Sequence, residues 1–211
     1  MTLVSRMLRL AKDAVVFELN IYTSLLRWVL RRPSIPKGHR PMGYAQLVTP
    51  MMALWIFGSA LELPLVHVLV PWHGMRIALL VIGVWGLLWM LGLLAGLRSY
   101  PHLLGPDALR IRNGAVHDIA IPWDTVSEVT TQDRSLPSSV WALQPQESEK
   151  GTHLNVAVSG RVNVHLAFRD PLAIRTRKGA MVVTGVSLWA DAPREVAATI
   201  RREAEARVRR S

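Results

Sequence analysis

Two long apolar segments dominate the pattern of hydrophobic and polar positions along the chain. Residues 47–70 carry one formal charge, Glu62, and residues 77–97 carry none. A membrane-spanning helix needs about 20 predominantly apolar residues, so each segment is long enough to cross a bilayer. Backbone groups in hydrocarbon must be hydrogen-bonded internally, and the short stretch 71–76 leaves room only for a tight turn. The pattern therefore predicts a transmembrane helical hairpin within residues 46–98.

Basic residues flank this hairpin at its two outer ends, whereas the turn carries only Arg76. Loops rich in arginine and lysine stay on the cytoplasmic side of a membrane. We therefore expect two spans with both the N and the C terminus in the cytoplasm. Arginine greatly outnumbers lysine, and alanine, valine, leucine and glycine are abundant. Such a composition is typical of a GC-rich bacterial genome and favours the plasma membrane of a bacterium.

Residues 1–45 combine an amphipathic helix with a basic linker at the cytoplasmic face. Apolar side chains recur at helical spacing on one face, namely Leu3, Met7, Leu10, Ala14, Phe17, Ile21, Leu25 and Trp28. The helix could lie in the inner head-group layer, with Arg27, Arg31 and Arg32 on anionic lipid. Alternatively, it could pack against the soluble domain or against a second copy of itself in a dimer. Prolines and glycines between positions 33 and 43 end the helix and predict an extended linker.

Residues 99–211 change to short alternating runs that predict strands followed by one helix. Asn113-Gly114 between two such runs predicts a hairpin with a type I′ turn. Further strands are predicted at residues 154–158, 162–168 and 181–189, with a final helix over residues 192–209. Asp191 is placed to cap that helix, and Val196, Ala197, Ile200, Ala204 and Val208 would form its buried side. The segment from Arg134 to Gly151, rich in polar residues and proline, is expected to be a flexible loop.

Three stretches resemble a known family. They are residues 109–114 (Leu-Arg-Ile-Arg-Asn-Gly), residues 121–129 (Ile-Pro-Trp-Asp-Thr-Val-Ser-Glu-Val) and residues 25–33 (Leu-Leu-Arg-Trp-Val-Leu-Arg-Arg-Pro). The chain looks like bacterial membrane proteins in which two transmembrane helices precede a bacterial pleckstrin-homology-like (bPH) domain. The resemblance implies an α+β membrane protein whose C-terminal domain is a partly open β-barrel capped by an α-helix. It also implies scaffolding or lipid proximity, and no enzymatic activity.

The net charge of +10 at pH 7 points to acidic partners, and the apolar middle of the chain favours anionic inner-leaflet lipid over nucleic acid. Arg110 and Arg112 on the first hairpin, and Arg175, Arg177 and Lys178 between two later strands, are candidates to face lipid or a partner. The alternative is that these bases are simply solvated surface. Lipid-binding members of the wider fold cluster more bases around the first hairpin, so phosphoinositide recognition is not carried over.

Glu62 is the polar feature of the hairpin that most needs an explanation. An ionised carboxylate inside a span costs on the order of 3 kcal/mol, so Glu62 should be protonated or partnered. His67 is the nearest candidate, although five residues place it about 140° away around an ideal helix. Hydrogen bonding within the hairpin, a proton or metal path, and recognition of lipid or a partner all stay open. Gly92 and Gly96 form a GxxxG pair that would let these helices, or a second copy, approach closely.

No constellation for catalysis, for a cofactor or for a metal ion stands out in the sequence. The chain has no cysteine, which excludes disulfides, thiolate zinc sites and cysteine nucleophiles, and no nucleotide-binding or hydrolase motif occurs. We expect a membrane-anchored, non-enzymatic interaction or scaffolding protein with a protein partner or a second copy of itself. The alternative is a subunit of an oligomeric transporter, or of an ion or proton path, built around Glu62.

Overall fold

The computed structural model describes residues 3–138, 142–148, 151–176 and 179–209. The chain forms two compact units: a helical unit of Met1–Pro33 and Thr49–Ser99, and a β unit of Ser34–Val48 and Tyr100–Ser211. Along the chain, the residues of the hairpin therefore separate two segments of the β unit. This differs from the predicted boundaries, which assigned residues 1–45 to the cytoplasmic face as one segment and began the β domain at residue 99.

The helical unit contains three helices, α1 (Leu3–Val29), α2 (Thr49–Leu69) and α3 (His73–Ser99). All three were predicted from the sequence. Two of them, α2 and α3, are long and apolar enough to cross a membrane. Pro64 lies inside α2 without ending it. The turn between α2 and α3 is held by Arg76, whose Nε donates a 2.9 Å hydrogen bond to the carbonyl of Val70.

The β unit contains nine strands and a C-terminal helix among its described residues. The strands are β1 (Arg40–Met42), β2 (His102–Leu104), β3 (Ala108–Asn113), β4 (His117–Pro122), β5 (Val126–Ser135), β6 (Leu143–Ser148), β7 (Gly151–Val156), β8 (Arg161–Thr176) and β9 (Gly179–Leu188), followed by helix α4 (Pro193–Val208). One sheet has the order β1-β2-β3-β4 and the other β5-β8-β9-β7-β6. The protein is thus a mixed α+β chain with two open sheets.

The hairpin of β3 and β4 was predicted, but its turn differs from the type I′ turn. Asn113 pairs with His117 across the ladder, so the loop has three residues, 114–116. Only Gly114 there adopts a positive φ, of 58°. The reason lies in tertiary contacts, because Asn113 Nδ2 donates to the carbonyl of Ala157 at 3.2 Å and the Gly114 amide donates to the Tyr44 hydroxyl at 2.8 Å.

Two further expectations for the β unit were wrong. Asp191 does not cap α4, which begins after Ala192 without a side-chain cap. Its carboxylate instead accepts a 3.0 Å hydrogen bond from the amide of Gln46. The stretch expected to be a flexible loop contains β6, which pairs along its whole length with β7. The carboxylate of Asp191 has a partner that is distant in the sequence, Gln46. The expected loop is ordered by its pairing with the adjacent strand β7.

The core of the β unit lies between the strands and α4. Val196, Ala197, Ile200 and Ala204 of α4 are buried, as predicted; the side chain of Val208 lies outside the described residues. On the strand side the core is built from alternating positions of β3, β4, β8 and β9. This core fixes the positions of the polar clusters described below.

Candidate functional site

Helix α1 packs on α3 through the two glycines of the GxxxG pair. Gly92 lies against Ile21, so that a Cβ at this glycine would come within 2.9 Å of the Ile21 carbonyl oxygen. Gly96 faces Ser24, and both Ile21 and Ser24 are buried. Helix α1 therefore packs on α3, a partner that neither of the alternatives for α1 named. The glycines serve α1, which the sequence did not indicate.

A polar network joins the same two helices. Glu18 accepts one hydrogen bond from the Tyr22 hydroxyl (2.8 Å) and one from Trp89 Nε1 (3.2 Å). The Tyr22 hydroxyl in turn accepts from Trp85 Nε1 at 2.8 Å, and the ring of Phe17 meets Trp89 edge to face. Each donor thus finds an acceptor, and the carboxylate of Glu18 uses both of its oxygens. Together with the contacts of Ile21 with Gly92 and of Ser24 with Gly96, the bond from Trp89 to Glu18 shows that α1 and α3 run in the same direction.

Glu62 and His67 both lie on exposed faces of α2. Neither side chain makes a hydrogen bond or an ion pair with any part of the chain that the structure describes. The predicted hydrogen bonding within the hairpin is therefore not observed for Glu62. The transport hypothesis built on Glu62 gains no further polar group from the fold and stays a prediction.

The C-terminal ends of α1 and α3 enclose an open groove of about 540 Å³. Its lining residues are Arg27, Trp28, Val29, Arg31, Arg32, Pro33, Arg98 and Ser99. Three of these, Arg27, Arg31 and Arg32, are residues that the sequence singled out for lipid, and the fold adds Arg98 to them. We call this feature the arginine groove.

Arg31 in this groove has an unusual backbone. Its φ is 52°, and α1 ends with a hydrogen bond from the Arg32 amide to the Arg27 carbonyl (2.9 Å) and one from the Arg31 amide to the Trp28 carbonyl (3.0 Å). This is the Schellman arrangement, in which glycine usually occupies the left-handed position. Arginine there costs on the order of 1–2 kcal/mol of backbone strain.

The two arginines of the first hairpin have internal partners instead. Arg110 forms a bidentate ion pair with Asp118, with N···O distances of 3.0 and 2.7 Å. Arg112 is buried, contacts the same carboxylate at 3.1 Å and donates to the Ser34 carbonyl at 2.7 Å. This burial leaves Arg112 no surface for a lipid head group. Through its bond to Ser34, Arg112 attaches the segment Ser34–Val48 to strand β3.

Of the basic residues predicted between two later strands, Arg175 lies exposed near the end of β8. Arg177 and Lys178 lie outside the described residues. The lipid-facing role of these bases stays a prediction.

Three polar side chains on neighbouring strands of the larger sheet contact one another. Ser187 Oγ lies 2.7 Å from both His153 Nε2 and His165 Nδ1, and His165 Nε2 lies 2.7 Å from the Gln132 carbonyl. Because a carbonyl only accepts, Nε2 of His165 donates to Gln132. With the proton of the ring on Nε2, Nδ1 accepts from the Ser187 hydroxyl. The Ser187 oxygen in turn accepts from Nε2 of His153. Burial, assisted by Arg134 and His165, lowers the pKa of His153 to about 4. Ser187 is fully buried, so this chain of hydrogen bonds connects strands.

A buried histidine, His102, holds the segment Ser34–Val48 in place. His102 stacks on Tyr44 with ring centroids 4.4 Å apart. Its Nδ1 accepts the Arg112 amide at 2.9 Å, and Nε2 donates to the Trp189 carbonyl at 3.0 Å. Burial lowers the pKa of His102 to about 4 and raises the pKa of Tyr44 to about 12. The pair therefore stays neutral at physiological pH and acts as a buried clamp.

A second groove, of about 570 Å³, lies between β5 and α4. Arg201 of α4 donates two hydrogen bonds, of 3.1 and 2.7 Å, to the carbonyl of Val129, and Arg169 donates to the carbonyl of Val126 at 3.4 Å. Strand β5 is the outer strand of its sheet. These arginines occupy carbonyls that an added strand would need.

Within the described residues, no group of three or more histidine, aspartate or glutamate side chains is arranged to hold a metal ion. Comparison with known proteins finds no matching family model, no similar curated protein and no similar solved structure.

Proposed function

We propose that the protein is a membrane-anchored, non-enzymatic interaction module, which presents the β unit at the cytoplasmic face of a bacterial plasma membrane. The main support for this proposal is the distribution of exposed apolar side chains. Among the described residues every exposed large apolar side chain except Val182 belongs to the helical unit, with Leu54 at 68% and Val68 at 77% exposure. Continuous apolar surface of this extent marks contact with a membrane or a partner. Spans of this length and composition favour the membrane.

The chain connections support a module held close to its anchor. Only Tyr100 and Pro101 separate the last residue of α3 from the first of β2, and residues 43–48 separate β1 from α2. Consecutive Cα atoms lie about 3.8 Å apart, so Ser99 and His102 are at most about 11 Å from one another. A β unit inserted around the hairpin in this way cannot move far from the membrane. That suits a scaffold better than a diffusing ligand-binding domain.

A pleckstrin-homology-like identity of the β unit is part of the proposal. Two open sheets of largely antiparallel strands precede a terminal helix, and this helix buries its apolar face against them. This order of elements is the one that the sequence resemblance implies. A binding or scaffolding role follows from the resemblance and from the tether.

Membrane anchoring and orientation can be tested with the full chain. It has no cysteine, so single cysteines report on one position each. We expect the protein to resist alkaline carbonate extraction. In intact spheroplasts an impermeant maleimide should label Gly74→Cys, at the turn end of α3, but not Ala198→Cys on α4. Extraction by carbonate would exclude the anchor, and labelling of Ala198→Cys alone would reverse the orientation.

The interaction role needs a separate experiment in the native membrane. A photo-crosslinking residue placed at successive exposed positions of the β unit, beginning with Val182, should give discrete protein adducts at neighbouring positions. Positions on the opposite surface serve as matched controls. If no position gives a protein adduct while membrane integration is normal, the scaffolding role is refuted and the anchor is retained.

A further inference from the structure

We infer that the arginine groove binds the phosphate group of an anionic phospholipid. The inference rests on the proposed function and deepens it, since it names a ligand class and a site. The groove is built entirely from the helical unit, at the C-terminal ends of α1 and α3, and each of these ends precedes a β-unit segment of the chain. Its lining, its backbone and its position along α3 each support this assignment.

The lining of the groove is strongly cationic. Four of its residues are arginines and none is an aspartate or glutamate. Arg31, Arg32 and Arg98 have no ion pair within the described parts of the chain. A planar guanidinium donates paired hydrogen bonds that match phosphate oxygens. Several arginines around one groove therefore favour a phosphate ligand over a carboxylate partner within the protein.

The apolar part of the lining distinguishes a lipid from a free anion. Trp28 and Val29 lie beside the arginines and are exposed, Trp28 to 36% and Val29 to 67%. A free phosphate has nothing to place against these side chains, whereas the glycerol and upper acyl carbons of a phospholipid do. Tryptophan is also enriched at the head-group level of membranes. We therefore commit to an amphiphilic ligand.

The position of the groove along α3 is consistent with this ligand. Arg98 and Ser99 are the last residues of α3, which has 27 residues. At 1.5 Å per residue that length is about 40 Å, longer than an apolar core of about 30 Å. The end of α3 therefore reaches the head-group layer. Basic pockets between membrane helices on the cytoplasmic side are suited to acidic head groups.

The strained backbone at Arg31 adds an independent indication. Its left-handed φ of 52° is a conformation that glycine would adopt without strain. An arginine held there against its own preference projects a guanidinium from the end of α1. Strain of this kind is found where a side chain has a binding role.

Native mass spectrometry of the full chain in mild detergent tests the inference. The probe is short-chain phosphatidylglycerol, compared with short-chain phosphatidylcholine and with water-soluble glycerol phosphate. We expect wild-type protein to retain phosphatidylglycerol preferentially. The double variant Arg31→Gln/Arg98→Gln should weaken this binding by at least about tenfold, the scale of losing two charge-assisted phosphate contacts. The single variant Arg98→Gln, which leaves the end of α1 unchanged, should show part of the effect.

A matched control removes the same charge elsewhere. Arg194→Gln/Arg202→Gln lowers the net charge by the same amount at two exposed positions of α4. An equal loss of lipid in this control would mean bulk attraction and would overturn the site. Equal binding of glycerol phosphate would overturn the lipid as occupant. Equal retention of phosphatidylcholine, which has a phosphate but no net charge, would overturn the preference for an anionic phospholipid. Carbonate resistance measured on the same variants separates failure of this inference from failure of the anchor.

Discussion

Replacing Ser24 and Gly96 by cysteine should join α1 to α3 through a disulfide. A Cβ at Gly96 would lie 3.8 Å from Cβ of Ser24. Disulfides have a mean Cβ···Cβ separation of about 3.8 Å, so the pair needs no backbone movement. The natural chain has no cysteine, and the double variant Ser24→Cys/Gly96→Cys therefore holds a single possible intramolecular pair.

The size of the effect follows from the loop that the bond closes. In the chain-entropy treatment, closing a loop of about 70 residues stabilises the folded state by about 4 kcal/mol at 25 °C. We expect spontaneous oxidation in membranes, seen as a monomer that no longer reacts with maleimide until it is reduced. The oxidised protein should also resist thermal unfolding more than the reduced protein.

Two glycine variants calibrate this assay. Gly92→Ala places a methyl group against the side chain and carbonyl of Ile21, and overpacking of this kind costs about 1–3 kcal/mol. It should slow formation of the bond. Gly86→Ala has nothing within 4 Å of the added carbon and should leave the rate unchanged.

Either of two results would refute the packing of α1 on α3 through the GxxxG pair. Disulfide-linked dimers in place of the internal bond would mean that the GxxxG pair serves a second copy. Equally rapid internal bonding in a Ser24→Cys/Gly86→Cys control would mean that α1 moves freely along α3. Both outcomes are read on the same non-reducing gel.

Further predictions concern the two polar clusters and the segment before the hairpin. Glu18→Ala removes the acceptor of two side-chain donors and should lower the oxidation yield in the disulfide assay, whereas Glu18→Gln should lower it less. Residues 34–48 joined to residues 100–211 by a short glycine-serine linker should fold as a soluble β unit, whereas residues 100–211 alone should aggregate; cooperative unfolding of both fragments would contradict this. In the joined protein Tyr44→Phe leaves one backbone donor unsatisfied and should cost about 1–3 kcal/mol in urea unfolding; an unchanged midpoint would argue against the clamp. Burial holds the pKa of His102 at about 4 in the folded state, whereas an unfolded histidine has a pKa of about 6.5. The free energy of unfolding should therefore be highest above pH 6.5 and should fall by up to about 3 kcal/mol as the pH falls towards 4. Urea unfolding against pH should show this loss. His102→Asn should reduce the slope and leave the part that comes from His153, whose pKa is also lowered to about 4.

The helices of the helical unit could be predicted because their signal is local and long. Extended apolar runs gave α2 and α3, and the helical spacing of apolar side chains gave α1. The partner of α1 could not be predicted, since the amphipathic pattern is satisfied by a membrane surface and by protein alike. Glu62 stands out because it interrupts a long apolar run, whereas the Trp89 donor of Glu18 lies on α3, 71 residues away in the sequence.

The β unit shows the opposite limit, because its decisive contacts join residues distant in the sequence. Strand β1 has three residues, two of them exposed, and its partner β2 follows the whole hairpin. No local pattern marks such a strand. His153 and Ser187 meet because β7 pairs in parallel with β9, an arrangement that alternating hydrophobicity does not determine.

Because the hairpin separates two segments of the β unit along the chain, the residues of the arginine groove are joined covalently to the β unit at two points. The groove ends at Pro33, and the next residue, Ser34, already belongs to the β unit, where Arg112 binds its carbonyl at 2.7 Å. On the other side of the hairpin the groove includes Ser99, only three residues before His102. A phospholipid held by the groove would therefore restrain both chain entries into the β unit close to where they begin. In the proposed function, the anchor, the head-group site and the scaffold would thus be connected through short covalent segments of the chain.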